Sequence, residues 1–226
     1  MRINFTKLPW VALVSVFCAV GCVKGQVVTN RAANGGVLGT YLNSLGTKLG
    51  FYFTFEYFRS NSLVIPVPEM HVDLPDENDM TNSAVMMSEL QRAVPGFKIY
   101  RDGRNAKVIH FVDIRLLKIP RYALNRKISL TYSGPLGNGR AGGSLVSALS
   151  KQVPEISSIS GSPISSLETF DDWYTDVSIK VENQPVRRII TDCLPFRNRT
   201  PFLWKAVTDF DRTNYTTSIQ FYPPKK

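Results

Sequence analysis

The chain has 226 residues, of which 43% are hydrophobic and 20% charged, and its formal net charge is +9. This composition is close to the average for globular domains, so it excludes a predominantly disordered chain, and the length fits one or two domains. The mean hydropathy of −0.08 excludes a polytopic membrane protein.

Residues 1–25 have the pattern of a bacterial secretion signal. Arg2 and Lys7 give a positive start, and an apolar run follows from Leu8 to Val20. This run is shorter than the roughly 20 residues that span a bilayer, which favours an export signal over a transmembrane helix. We therefore expect the rest of the chain to work outside the cytoplasm, in the periplasm.

Two processing sites are compatible with this signal. Residues 19–22 (Ala-Val-Gly-Cys) resemble the lipobox of bacterial lipoproteins, in which the cysteine becomes the lipidated first residue. Cleavage near Gly25 is the alternative, although Lys24 is unfavourable beside a cleavage site. We predict lipidation of Cys22, which would attach the protein to the membrane by a lipid anchor.

The start of the mature chain is predicted to be a linker followed by a helix and a strand. Residues 26–36 are polar and rich in glycine, which is typical of a linker. Residues 37–49 carry apolar side chains at helical spacing, and Gly50 is a natural C-terminal stop. The aromatic segment 51–58 then favours a strand.

A strand, a helix and a hairpin are predicted next. Apolar and polar residues alternate over 70–74, as in a half-exposed strand. The acidic residues 76–79 lack the ligand spacing of a calcium loop and suit the start of the helix expected over 82–94. Strands on either side of Asp102-Gly103 complete a predicted hairpin over 97–112.

The second half repeats this order of elements. The predicted elements are a strand at 128–132, a helix at 144–152, a strand at 177–181, a helix at 186–194 and a hairpin at 203–222. Asn183 is the expected N-cap of the last helix, with Pro185 in its first turn.

The order strand, helix, hairpin thus occurs at 69–112 and again at 177–222. We predict an α+β fold of two tandem units, in which small sheets pack against helices. The first unit is expected to cover residues 37–118 and the second residues 119–226.

The first unit resembles the short N-terminal domain of secretins and TonB-dependent receptors. The resemblance lies in residues 37–55 (VLGTYLNSLGTKLGFYFTF), in the helix, turn and strand from Leu90 to Tyr100, and again in residues 177–195 (VSIKVENQPVRRIITDCLP). It implies a periplasmic interaction or signalling module with an envelope protein as partner. It implies no catalytic residues, and the absence of a secretin or barrel segment after it implies a free-standing relative.

A glycine-rich loop within residues 134–143 carries the spacing G-x-G-x-x-G at 137–142. Pro135 and its neighbours separate the preceding strand from the first glycine, so the tight turn of a dinucleotide site is missing. The preceding strand is also half polar, unlike a central parallel strand. We therefore interpret the segment as a flexible loop and expect no small-molecule cofactor.

Cys193 is the one candidate nucleophile, with His71 or His110 as its base. Because Cys18 and Cys22 lie in the signal region, Cys193 is the only thiol expected to stay free, and no intrachain disulfide is expected. Its position on an apolar helical stripe favours a buried structural role, and His110 is expected to be a hydrogen-bonded strand residue. Neither an H-E-x-x-H motif nor a G-x-S-x-G motif is present, so no metal or serine hydrolase site is predicted.

Two further groups of residues have structural and functional interpretations. The adjacent Asp171 and Asp172 beside Trp173 suggest glycan chemistry, but neighbouring strand residues point in opposite directions. Trp173, Tyr174 and Trp204 are either partner anchors or core aromatics, and the core interpretation is favoured.

The basic residues are spread over the chain, which favours a solvated basic face. Anionic surfaces such as lipid headgroups or cell-wall polymers are the alternative, and export argues against nucleic acid.

These features predict an exported, non-enzymatic interaction or scaffold module of the cell envelope. The alternatives are an exported envelope hydrolase and an accessory subunit of a secretion or transport complex.

Overall fold

A computed structural model describes residues 35–59, 70–76, 83–136, 144–158, 176–194, 200–211 and 214–222. Within these ranges the chain forms ten strands and four α-helices, which confirms the predicted α+β class. In chain order, the first half contains β1 (Gly35–Val37), α1 (Leu38–Leu49), β2 (Tyr52–Arg59), β3 (His71–Asp73), α2 (Ser83–Ala93), β4 (Phe97–Arg101) and β5 (Val108–Asp113). The second half contains β6 (Lys127–Pro135), α3 (Leu145–Ser150), β7 (Ile156–Ser158), β8 (Asp176–Pro185), α4 (Val186–Asp192), β9 (Phe202–Asp211) and β10 (Asn214–Phe221). Two single turns of 3-10 helix, Leu116–Lys118 and Ala123–Asn125, lie between the halves.

A six-stranded mixed sheet has the strand order β4-β5-β2-β9-β10-β7. The strand β2 is parallel to β5 on one side and to β9 on the other. Its residues from Phe53 to Tyr57 are all buried, as expected for a strand that is covered on both faces. The predicted hairpins are present as the antiparallel pairs β4–β5 and β9–β10, but both belong to this one sheet instead of to two small sheets.

Two further antiparallel pairs lie outside the six-stranded sheet. One joins β1 to β3, and the other joins β6 to β8 and is called the ribbon below. Along the ribbon, buried residues such as Leu130 and Ile179 alternate with exposed residues such as Thr131 and Lys180. This period of two places one face of the ribbon on the core and the other in solvent.

Each face of the six-stranded sheet carries its own hydrophobic core. On one face, Phe53, Phe55 and Tyr57 of β2 pack with residues of α1 and α2, which are Leu38, Leu42, Leu45, Met86 and Leu90. On the other face, residues of β5, β9 and β10 pack with the 3-10 turns, α3, α4 and the ribbon. Thr54 and Glu56 of β2 alternate with the three aromatic residues and therefore point to this second face.

Several local predictions are confirmed. The helix α1 ends before Gly50, which has a left-handed φ of 71° that suits glycine. The turn between β4 and β5 is closed by the Asp102 carboxylate, which accepts the backbone N–H groups of Arg104 and Asn105 at 2.8 and 2.9 Å. The helix predicted over 144–152 is present as α3, and the structure adds that the hydroxyl of Ser144 caps it by accepting the N–H of Ser147 at 3.1 Å.

The predicted N-cap of the last helix is wrong. Asn183 lies within β8, with a φ of 49°, and α4 begins at Val186 directly after Pro185. The N–H of Asn183 donates to the hydroxyl of Ser129 at 3.1 Å, close to a shift in the register between β6 and β8. Asparagine tolerates a positive φ, so Asn183 can occupy the irregular position in the ribbon, and it does not cap the helix.

Several predicted features lie outside the described residues. They are the secretion signal with Cys22, the linker as far as residue 34, the glycine-rich motif at 137–142 and the segment from Asp171 to Tyr174. Among the residues that are described, no helix is both long enough and apolar enough to cross a membrane.

Candidate functional site

A buried ion pair joins the two halves on the second face of the sheet. Glu56 of β2 is fully buried, and both of its carboxylate oxygens accept hydrogen bonds from the guanidinium of Arg187 on α4. The bond from Nη2 to Oε2 is 2.8 Å long, and the other runs from Nε to Oε1. Arg187 also donates through Nη1 to the side-chain oxygen of Asn125 at 2.7 Å. This bidentate geometry compensates a carboxylate that has no access to water.

Electrostatics keep the guanidinium of Arg187 charged. Burial by itself would lower the pKa of Arg187, but the adjacent Glu56 carboxylate raises it above its ordinary value. Burial raises the pKa of Tyr100 to about 12 and that of Tyr122 well above its ordinary value. Both phenols therefore stay neutral near physiological pH and add no competing negative charge beside Glu56.

A second polar row lies beside the pair. The hydroxyl of Tyr122 is 3.2 Å from that of Thr208, which is 3.0 Å from that of Thr217. Trp204 is also fully buried, and its Nε1 donates to the Thr191 hydroxyl at 3.1 Å. The core interpretation of Trp204 is thus confirmed, and its indole N–H has the acceptor that burial requires.

His110 lies between a carboxylate and a hydroxyl. Its Nδ1 is 2.7 Å from Oγ1 of Thr54, and its Nε2 is 3.3 Å from Oδ2 of Asp102. The order carboxylate, imidazole, hydroxyl is that of a hydrolase triad. However, Thr54 and His110 are only 0% and 1% exposed, so substrate has no access to the hydroxyl. The row acts as a buried hydrogen-bond chain, and the prediction that His110 is a hydrogen-bonded strand residue is confirmed.

The structure does not assemble the candidate cysteine site. Cys193 is half-buried at the end of α4, where its Sγ donates to the carbonyl of Ile190 at 3.0 Å. His110 directs both ring nitrogens to Thr54 and Asp102, and His71 is an exposed residue of β3. The imidazole of His110 is thus engaged by residues other than Cys193. In the described ranges no cluster of three or more His, Cys, Asp or Glu residues could hold a metal.

A basic segment connects the two halves. Residues 114–127, called the connector below, contain five cationic residues and no acidic residue, the cations being Arg115, Lys118, Arg121, Arg126 and Lys127. The buried side chains of Leu116, Tyr122 and Leu124 fix it to the second core. Ile114 and Leu117, by contrast, are 42% and 45% exposed.

A strip of neighbouring aromatic rings lies beside the connector. Phe58 and Phe210 have ring centroids 4.9 Å apart, and Phe210 is 5.6 Å from Tyr215. Arg115 lies over the ring of Phe58 at 4.5 Å, and the hydroxyl of Tyr215 donates to the carbonyl of Arg121 at 3.1 Å. The strip therefore contacts the connector at Arg115 and at Arg121. Its three aromatic side chains are partly exposed.

The edge of the six-stranded sheet at β4 is occupied by a side chain of α2. The Gln91 amide donates to the carbonyl of Phe97 at 2.5 Å and accepts the N–H of Ile99 at 2.9 Å. The N–H of Phe97 donates to the carbonyl of Val94 at 3.1 Å. Groups that could template another strand are thus already engaged along this part of the edge.

The sequence interpretation missed the pair of Glu56 and Arg187. Its signal was present, because an acidic residue inside an otherwise aromatic strand needs a buried counter-charge. The apolar stripe expected on the last helix is buried at Ile189 and Ile190, but the periodicity indicates no partner for Arg187 on the same helix. Nothing local links a strand at residue 56 to a helix that begins 130 residues later.

We expect Arg187→Met to lower the free energy of unfolding by about 3–5 kcal/mol, because Glu56 would remain buried without its counter-charge. Urea unfolding followed by circular dichroism measures this. Arg92→Met is the matched control, because Arg92 is 53% exposed and should cost no more than about 0.5 kcal/mol. The double variant Glu56→Leu with Arg187→Met should recover most of the loss. Equal stability of the two single variants would contradict the role of the pair.

A second prediction concerns the dependence of stability on pH. The hydrogen bond with His110 is the main cause that holds the pKa of Asp102 below its ordinary value of 3.8. Because the pKa of Asp102 is lower in the folded state than in the unfolded state, its ionised carboxylate stabilises the fold at pH values above the pKa of the unfolded state. This stabilisation is lost as the pH falls through the pKa of the folded state. We expect Asp102→Asn, which keeps an acceptor for the turn, to lower the free energy of unfolding by about 1–2 kcal/mol at neutral pH. The deficit should shrink below pH 3.8 in urea titrations; a deficit that stays constant in acid would contradict this cause.

No protein-family model, curated protein or solved structure matches the chain significantly.

Proposed function

We propose that this protein is an exported, non-enzymatic interaction module of the bacterial cell envelope, built from two tandem units that resemble the short N-terminal domain of secretins and TonB-dependent receptors. The observation that supports the two tandem units of this proposal is the pattern of strand pairing in the two halves. Pairing supports it more strongly than the short apolar motifs of the sequence, because pairing involves residues far apart in the chain.

The two halves use the same order of elements and the same pairs. In the first half, β1 pairs with β3, β2 is parallel to β5, and β4 and β5 form the hairpin. In the second half, the equivalent strands pair in the same way: β6 with β8, β7 parallel to β10, and β9 with β10 in the hairpin. Each half thus reads strand, helix, strand, strand, helix, strand, strand, which supports a tandem repeat with its boundary in the connector.

Strand direction and helix placement agree with this repeat. The strand β4 is antiparallel to β2, through β5, whereas its counterpart β9 is parallel to β2. The second unit is therefore turned over relative to the first within the continuous sheet. A unit of fixed handedness that is turned over carries its helices on the opposite face, and α3 and α4 indeed pack on the face opposite to α1 and α2.

The chemistry of the described residues favours binding over catalysis. The one carboxylate–imidazole–hydroxyl row is buried, and its hydroxyl belongs to Thr54 inside the central strand β2. This placement removes the main geometric argument for an envelope hydrolase. A role as an accessory subunit of a secretion or transport complex is one form of the proposed interaction function.

The ribbon offers the best place for a protein partner. Within the described ranges, β6 and β8 pair only with each other, so each has an edge without a third strand. Strand addition to such an edge supplies backbone hydrogen bonds over an extended segment. The edge at β4 is less suitable, because Gln91 and Val94 already bond to its backbone.

The expected partner contact can be tested by photo-crosslinking in cells of the organism whose genome encodes the protein. A photoreactive phenylalanine analogue at Lys180, which is exposed on β8, should give a discrete adduct with one envelope protein. The matched control places the same analogue at Arg92 on α2, far along the chain from the ribbon. Adducts that are absent at Lys180, or identical at both positions, would contradict docking on the ribbon.

Export and lipidation are supported by the charged start, the apolar run and the lipobox-like residues 19–22. We expect Cys22→Ala to abolish incorporation of labelled palmitate and to release the chain from the membrane fraction. Cys18→Ala is the matched control and should leave the label unchanged, because that residue would be removed with the signal. A palmitate label that survives Cys22→Ala would contradict the lipid anchor.

A further inference from the structure

The connector combines exposed apolar residues with cations. Ile114 and Leu117 are three residues apart on either side of the buried Leu116, and they are 42% and 45% exposed. Arg115, Lys118 and Arg121 alternate with them in the sequence, and the connector contains no acidic residue. Large apolar side chains that are exposed within a cationic segment are costly in water, and their arrangement is typical of surfaces that meet a membrane interface.

Part of the positive charge of this surface is not neutralised by salt bridges among the described residues. Arg115 is paired with Asp113, and Arg126 at the far end is paired with Glu155. In the described part of the chain, Lys118 and Arg121 form no salt bridge. Their charges are therefore available to a negatively charged partner outside the protein.

The surface is also rigid and extended by aromatic side chains. Leu116 and Tyr122 anchor the connector in the second core, and the hydroxyl of Tyr215 holds the carbonyl of Arg121. Phe58 and Phe210 continue the surface beside Arg115 as partly exposed rings. Because the surface is formed in advance, its docking would require little ordering of the chain.

We propose that this surface, formed by the exposed residues of the connector and the aromatic strip, docks onto an anionic phospholipid membrane. Lys118 and Arg121 would lie among the phosphate groups, Ile114 and Leu117 would enter the boundary between headgroups and acyl chains, and the partly exposed aromatic rings would lie at the level of the headgroups. Cations, aliphatic side chains and aromatic rings each have a favourable depth in such an interface. An acidic protein would satisfy the cations, but its negative charge would not by itself account for two exposed aliphatic residues beside them.

This proposal goes beyond the interaction module, because a membrane surface, not a protein, is the partner of the connector. It also does not depend on the lipid anchor. The test therefore uses the full chain carrying Cys22→Ala, so that failure of lipidation and failure of docking give separate results.

The experiment measures co-sedimentation with vesicles of phosphatidylcholine containing phosphatidylglycerol, and with vesicles of phosphatidylcholine alone. The patch variant carries Leu117→Glu and Lys118→Glu. The matched control carries Val85→Glu and Lys107→Glu, which makes the same change in charge at an apolar residue that is 44% exposed and at an exposed lysine elsewhere. Any affinity of the apolar run near the N-terminus is common to all chains and cancels in the comparison.

We expect the parent chain to bind the anionic vesicles on the order of tenfold more strongly than the neutral ones, and to lose this preference at high salt. The patch variant should lose the preference, whereas the control should retain it; thermal unfolding checks that both remain folded. Equal binding by all three chains would overturn the proposal, and so would equal losses in both variants, since these would reflect net charge only. A patch variant that binds vesicles normally but loses a cross-link to an acidic envelope protein would also overturn it in favour of protein docking.

Discussion

The buried pair of Glu56 and Arg187 is the interaction on which the arrangement of the two halves depends. Glu56 belongs to the inner strand β2 of the first half, and Arg187 belongs to α4 of the second half, 131 residues later. Apolar packing is tolerant of small changes in docking angle, but a buried carboxylate without its counter-charge costs several kcal/mol. The pair therefore selects one position of α4 over the sheet from those that hydrophobic burial would allow.

The neighbouring contacts follow from that position. Once Arg187 is fixed, its second donor reaches Asn125 and so holds the end of the connector. One turn later, Thr191 donates to the carbonyl of Arg187 and accepts the indole N–H of Trp204, which ties α4 to β9. The same helix thus organises a strand from each half and the segment between them. This is why the connector can be rigid although it contains only single turns of 3-10 helix.

Sequence patterns predict the elements that local physics determines, and fail where distant residues meet. The stripe in α1, its stop at Gly50 and the turn at Asp102 each depend on a few neighbouring residues, and all were predictable. The parallel pairing of β2 with β9 was not, because it joins residues about 150 positions apart and leaves no periodic signal in either strand. The error at Asn183 has the same origin: its position within β8 and its N–H bond to Ser129 depend on pairing with β6, 54 residues away in the sequence. The candidate site was only partly predictable, since His110 was correctly assigned to the fold while the need of Glu56 for a cation was overlooked.

Arginine residues that look alike in the sequence have different environments in the fold, as Arg121 and Arg187 show. In the sequence, Arg121 and Arg187 are equivalent members of one dispersed basic set. In the fold, Arg187 lies over Glu56, the fully buried carboxylate of β2, and becomes part of the core. The carbonyl of Arg121 accepts a hydrogen bond from the hydroxyl of Tyr215 on β10, and the residue itself is exposed to solvent. The same connector thus carries the exposed cations Lys118 and Arg121 beside Ile114 and Leu117, the two aliphatic residues that the core leaves uncovered.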